Sequence, residues 1–208
     1  MFRKDLPMLS EVTARLSTRI DRNLLMPKIL RFHFFLLSFY MIDVGAEPMI
    51  IDDFTSNDQP QWNYVSDQVM GGISEGILVF RTDKEESYAQ LTGEVSTKNN
   101  GGFIQFRRDL IIPDTQGVQG IYAKVKGNNQ KYFIHIRTRG TIMPWQYYQS
   151  EFLAGDKWQS IKLPFNNFVA SSQWIKKELR AKDVRSIGVV AFGRDHKADI
   201  NVSEIGFF

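Results

Sequence analysis

From Met49 onward the sequence is a succession of short β-type runs separated by turn residues. The runs are rich in β-branched and aromatic residues, and turn signals recur roughly every 8–15 residues. This spacing favours an antiparallel sandwich or jelly roll over alternating strands and helices. We predict one all-β domain over residues 47–208, with strands at 50–54, 76–81, 87–95, 102–106, 120–126, 131–138, 146–152, 158–163, 186–192 and 200–207.

One segment departs from the β pattern. Residues 172–179 place good helix formers after Ser171 and Ser172, which are suitable N-caps. The sequence therefore predicts one short helix there.

Two stretches contain adjacent glycines, at 71–72 and 101–102. Adjacent glycines permit positive φ angles and the close approach of another backbone or a ligand. We interpret both as tight turns between strands, with Asn99 and Asn100 in left-handed conformations and Asp67 as a turn or cap residue. Trp62, Val69 and Met70 are predicted to lie in the core. In the alternative interpretation, the two loops meet at one end of the sandwich and bind a partner.

These stretches resemble the complex I intermediate-associated protein 30 family. The first match comprises Trp62, Asp67, Val69, Met70, Gly71, Gly72 and Ser74, and the second Asn99, Asn100, Gly101, Gly102, Phe103 and Arg107. A third match includes Trp158, Pro164 and Phe165. The resemblance spans roughly residues 50–208 and implies a galactose-binding-like jelly-roll β-sandwich. It also implies a chaperone-like role as an assembly factor for the respiratory NADH:ubiquinone oxidoreductase, complex I.

The N-terminal 46 residues have a different character from the rest. They hold 7 basic and 4 acidic residues, whereas residues 47–208 hold 19 of each, so the basic pI comes from the leader and gives no reason to expect a nucleic-acid partner. Lys28 and Arg31 precede an apolar run over 32–42, and Val44-Gly45-Ala46 offers small residues for cleavage. This pattern is typical of a signal peptide, and Met26 is an alternative start of translation. The apolar run is too short for a stable membrane span. We expect an exported protein, periplasmic or extracellular; the alternative is a mitochondrial or membrane-associated one.

The sequence offers few groups for catalysis. It has no cysteine and three histidines without metal-binding spacing, and it contains neither a nucleophile elbow nor a phosphate-binding loop. Asp52 and Asp53 are adjacent, and neighbours in a strand point to opposite faces. We therefore predict a non-catalytic protein without metal or cofactor.

The run over 131–139 alternates between two faces. Tyr132, Ile134, Ile136 and Thr138 form the predicted core face. The opposite face, together with the next strand, forms a candidate binding face: Phe133, His135, Arg137, Arg139, Trp145, Tyr147, Gln149 and Glu151. Such a patch suits a carbohydrate, through ring stacking and planar polar groups, and equally a protein partner. In the purely structural alternative, the aromatic rings cover the sheet and Arg137 pairs with Glu151.

These features together predict a non-catalytic binding or chaperone-like protein. The resemblance implies complex I assembly intermediates as the partner. The alternative is an exported carbohydrate- or cell-envelope-binding module.

Overall fold

The computed structural model describes residues 48–56, 61–83, 86–111 and 116–208, so the predicted leader lies outside the described residues. Twelve strands form two antiparallel sheets, which confirms the all-β jelly-roll prediction. The strands are β1 (Met49–Asp52), β2 (Asn63–Ser66), β3 (Glu75–Asp83), β4 (Glu86–Val95), β5 (Phe103–Asp109), β6 (Gly120–Gly127), β7 (Gln130–Thr138), β8 (Tyr148–Ala154), β9 (Gln159–Pro164), β10 (Val169–Ala170), β11 (Val184–Phe192) and β12 (His196–Phe207).

The two sheets have six strands each. In the first, the order is β3-β4-β12-β6-β9, with β1 paired to the C-terminal part of β12. In the second, which we call the groove sheet, the order is β10-β8-β7-β11-β5-β2. All ten predicted strands are present. Sequence inspection missed β2 and β10, which are only four and two residues long and lie at the edges of the groove sheet.

The core lies between the sheets and follows from period-2 alternation. On β7, Tyr132, Ile134 and Ile136 are fully buried and Thr138 is nearly so, as predicted. β5, β6, β11 and β12 contribute further apolar side chains to the same cluster. Because the inner side of each strand is fixed by this core, the other side of the groove sheet is free to carry polar and aromatic groups.

The predicted helix over 172–179 is wrong. The segment consists of turns and bends, in which Ile175 and Leu179 are buried against the core. The Tyr148 hydroxyl donates a hydrogen bond of 2.7 Å to the Lys176 carbonyl, which gives that carbonyl a tertiary partner in place of a helical amide. An eight-residue helix is marginal by itself, so these tertiary contacts determine the conformation.

Helical structure is confined to short 3-10 turns in the described ranges: Asp67–Met70, Lys98–Asn100, Phe165–Asn167 and Ala181–Asp183. None of these is long or apolar enough to cross a membrane.

Candidate functional site

A single buried carboxylate joins the two double-glycine loops. Asp67 is fully buried. Its Oδ1 accepts a hydrogen bond of 2.9 Å from the Ser74 amide. Its Oδ2 accepts hydrogen bonds of 2.5 Å from the Ser74 hydroxyl and of 2.5 and 3.2 Å from the Gly102 and Phe103 amides. Burial raises the pKa of Asp67, and these hydrogen bonds outweigh that effect and lower the pKa below its usual value of 3.8.

The two glycines of each pair have different tasks. Gly71 and Gly102 have φ angles of 92° and 129°, which favour glycine. A Cβ atom at Gly72 or Gly101 would lie less than 3.0 Å from side-chain atoms of Asp67. One glycine therefore turns the chain, while the other leaves room for the carboxylate. Asn99 and Asn100 both have φ of 57°, which confirms their predicted left-handed conformation.

The prediction that Val69 and Met70 lie in the core is wrong. Trp62 is buried as predicted, but Val69 and Met70 are 76% and 61% exposed. The 3-10 turn over Asp67–Met70 starts with the buried carboxylate and directs the next apolar pair outward. The motif thus combines a structural residue with two exposed apolar side chains.

On the outer face of the groove sheet, strand pairing aligns side chains in rows. Gly188 of β11 lies between His135 of β7 and Arg107 of β5. In the next row, Ser186 lies between Arg137 and Asp109. Paired residues point to the same side of a sheet, so the small residues of β11 form a floor between larger neighbours.

An aromatic cluster lines one side of this floor. The rings of His135 and Tyr147 are stacked, with centroids 4.1 Å apart and planes 11° apart. The ring of Phe192 meets both at a steep angle, at 5.4 Å from His135 and 6.3 Å from Tyr147. Burial lowers the pKa of His135 to about 3, and the neighbouring Gln149 side chain opposes this effect only in part. The imidazole is therefore neutral at physiological pH, and its Nε2 atom is buried without a partner among the described residues.

The loop between β7 and β8 forms a wall beside this cluster. Arg137 Nη2 donates a hydrogen bond of 3.0 Å to the Met143 carbonyl. Gln146 Oε1 accepts hydrogen bonds from the amides of Ile142 and Met143. The Ser171 hydroxyl donates to the Trp145 carbonyl at 2.7 Å. These contacts fix the loop while the Trp145 side chain remains 58% exposed.

The two glycine loops, the loop between β7 and β8 and the outer face of the groove sheet surround a groove of about 570 Å³. This volume falls within the range usual for ligand pockets. We refer to it as the groove; its lining residues are Val65, Val69, Met70, Asn100, Gly101, Phe103, Gln105, Arg107, His135, Arg137, Pro144, Trp145, Tyr147, Ser186, Gly188 and Phe192.

The groove includes half of the predicted binding face: His135, Arg137, Trp145 and Tyr147. Phe133, Arg139, Gln149 and Glu151 do not line it. Phe133 packs edge-on against Phe192, with ring centroids 5.7 Å apart. The proposed pairing of Arg137 with Glu151 is wrong, because Glu151 pairs instead with Lys131, its exposed neighbour, at 3.1 Å.

Other predicted residues lie away from the groove. Trp158 packs against Tyr88 at 5.7 Å, Pro164 ends β9, and Phe165 packs against Phe168. These three residues of the third family match therefore lie outside the groove.

The adjacent acidic residues have separate partners. Asp52 pairs with Arg108 at 2.7 Å and accepts a hydrogen bond from Trp62 Nε1, whereas Asp53 caps the turn at Thr55. No cluster of residues able to hold a metal ion occurs in the part of the chain that the structure describes.

Sequence reasoning did not assign Gln105, Ser186, Gly188 or Phe192 to the site. The period-2 rule that was applied to β7 would have found them on β5 and β11, whose outer faces carry 103, 105, 107 and 186, 188, 190, 192. The rule is hard to apply to β11 because Val190 and Phe192 make its outer face nearly as apolar as its inner face, so the sequence does not distinguish the two.

We predict that Asp67→Asn destabilises the domain by about 3 kcal/mol at pH 7, since the amide leaves buried donors without an acceptor. The lowered pKa of Asp67 means that its contribution is complete above its ordinary value of 3.8 and is lost as the pH falls below it. Urea unfolding at pH 7 and at progressively lower pH measures both effects.

Asp195→Asn is the matched control. Asp195 also accepts two hydrogen bonds from Thr97, each of 2.7 Å, but it is exposed. It should change stability far less than Asp67→Asn. Equal effects of the two substitutions would contradict the linking role of Asp67.

The fold resembles known carbohydrate-binding modules. The family 11 module of the cellulase Lic26A-Cel5E of Clostridium thermocellum is 14% identical, with a TM-score of 0.63 over 78% of this chain and 94% of that one. A structure of the family 11 module from Clostridium thermocellum with a β-1,3-1,4-mixed-linked tetrasaccharide gives a TM-score of 0.62, 14% identity and coverage of 77% and 95%. The agarase AgWH50C, at 12% identity and a TM-score of 0.52, matches 76% of this chain with 24% of its own. At such identities these similarities show the jelly-roll fold.

A search of curated proteins found no match to the sequence. Residues 52–202 match the family model of Complex I intermediate-associated protein 30. This range contains the buried carboxylate, both glycine loops and every residue that lines the groove. The chain therefore belongs to the complex I intermediate-associated protein 30 family.

Proposed function

We propose that this domain is a non-catalytic, chaperone-like binding module that holds a segment of a partner protein in the groove during assembly of complex I. The observation that carries the proposal is the composition of the groove wall: two exposed aliphatic side chains, Val69 and Met70, stand on a loop that Asp67 fixes from below. Exposed methionine, tryptophan, tyrosine and arginine are the residues that anchor protein interfaces. Family membership supports complex I intermediates as the partner.

The shape of the groove supports a segment of chain as the occupant. Val69 and Met70 line one side, Trp145 and Tyr147 line the other, and Ser186 and Gly188 leave the floor low. An extended segment can place apolar side chains against both walls.

We predict that Val69→Ser combined with Met70→Ser weakens partner binding about tenfold, because two apolar anchors are lost. In a deletion strain of the native host, wild-type protein should restore NADH:ubiquinone oxidoreductase activity, and the double variant should not. A photo-crosslinking residue at position 70 should capture a defined complex I subunit.

Ile77→Ser is the matched control, because Ile77 is 60% exposed but lies on β3 of the other sheet. It should restore activity like the wild type. Full restoration by the double variant would overturn the proposal.

Carbohydrate binding is the second candidate, and the aromatic side of the groove favours it. Tyr147 and Trp145 offer ring faces beside the polar groups of Gln105 and Asn100, and sugars bind to such combinations. The similarity to a family 11 module solved with a tetrasaccharide supports the same candidate.

If a sugar is the ligand, wild-type protein should be retarded in gels containing mixed-linked β-glucan or agarose. Tyr147→Ala should abolish the retardation, since stacking on a ring contributes a large share of sugar affinity. Trp174→Ala, on an exposed tryptophan outside the groove, should have no effect. The absence of retardation on any polysaccharide would remove this candidate.

The compartment separates the two candidates. We propose that residues 1–46 act as a leader that is cleaved after Ala46 and directs export. Mass spectrometry of the native N-terminus, with cell fractionation, tests this. A chain starting at Glu47 outside the cytoplasm would favour the sugar-binding candidate, whereas an organellar cut or an intact leader would favour complex I assembly.

A further inference from the structure

The floor of the groove carries an arginine that has no partner in the described chain. Arg107 is half-buried on β5, beside Gly188. A Cβ atom at Gly188 would lie only 3.3 Å from Arg107 Cβ and 3.1 Å from Gln105 Oε1, so the glycine lets these two side chains pack closely over the floor of the groove. No hydrogen bond or ion pair joins the Arg107 guanidinium to any residue that the structure describes.

Positive charge accumulates around this position. Burial and the charges of Arg107 and Arg185 lower the pKa of Arg137, and Asp109 opposes this only in part. Arg137 itself is bound to neutral carbonyl groups of Thr141 and Met143. Neither aspartate nor glutamate lines the groove, and His135 is neutral.

The guanidinium of Arg107 is therefore available to an anionic partner from outside the chain. A half-buried arginine binds a carboxylate through two parallel hydrogen bonds, and a low local dielectric strengthens the pair. The Gln105 side chain, two residues away on the same face, can donate a further hydrogen bond. The aliphatic pair Val69 and Met70 lines the same groove and offers apolar contact to a ligand bound there.

We propose that the groove recognises an acidic peptide segment, with one carboxylate bound by Arg107 and apolar neighbours against Val69 and Met70. This inference rests on the proposed protein-binding function and specifies the chemistry of the partner. An acidic sugar would satisfy the arginine but would gain little from the two aliphatic side chains.

The test uses two blocked peptides, acetyl-Leu-Glu-Leu-amide and acetyl-Leu-Gln-Leu-amide, with digalacturonate as a third probe. Each is titrated into the ¹⁵N-labelled domain, and the shifts of backbone and arginine Nε–Hε signals are followed. We expect the Glu peptide to shift the Arg107 signal and to bind about tenfold more tightly than the Gln peptide at low salt. The preference should shrink in 0.5 M NaCl.

Arg107→Gln should remove the preference and leave the weaker, shared binding of both peptides. Arg107→Lys should keep part of it, because it retains the charge without the two parallel hydrogen bonds. Arg81→Gln is the control: Arg81 lies on β3 of the other sheet, bonded to Gln90, and its loss should leave the preference intact.

The other outcomes separate the two proposals. Equal affinity for both peptides would overturn the acidic preference and leave protein binding standing. Binding of digalacturonate alone would overturn both in favour of an acidic sugar. No shift with any probe would overturn both as well.

Discussion

The groove depends on one buried ion that has no countercharge among the described residues. Asp67 is surrounded by the Ser74 hydroxyl and by amides of both glycine loops. A buried carboxylate is costly unless its oxygens are saturated with donors, and here the donors come from two separate loops, at Ser74 and at Gly102 and Phe103. The two loops therefore have their low-energy arrangement only when they are together. Each loop needs two glycines, because one adopts a positive φ angle and the other leaves room for the Asp67 carboxylate.

The same arrangement makes an exposed apolar surface tolerable. Val69 and Met70 gain little burial in this domain, so folding alone gives little reason for their hydrophobicity. They lie in the same 3-10 turn as the buried Asp67, which limits the freedom of their backbone to move onto the sheet. A preorganised apolar pair loses little further entropy when a partner covers it. The hydrogen bonds of Asp67 and the exposed Val69 and Met70 side chains thus both favour the binding of a partner.

Much of this architecture was predictable from local patterns, and the limits have physical causes. The alternation on β7 identified both its core face and His135, Arg137 and their outer-face neighbours, because one face of that strand is clearly polar. The role of Asp67 was not predictable, since a buried acceptor and an exposed turn residue have the same sequence appearance and differ only in tertiary donors. Val69 and Met70 were misplaced because hydrophobicity usually signals burial. The failed helix over 172–179 shows tertiary contacts overriding propensity.

Fold similarity and family membership answer different questions about this groove. The carbohydrate-binding modules share the sandwich at 14% identity, which leaves the outer-face side chains free to differ. What this chain places there is a mixed surface: rings on one side, aliphatic groups on the other, and an arginine without a partner between them. Rings and amides alone would suit a neutral sugar. A guanidinium can donate to sugar hydroxyls as well. The aliphatic wall, however, has little to offer a neutral sugar, whereas a peptide that carries apolar residues beside a carboxylate would use both the wall and the guanidinium.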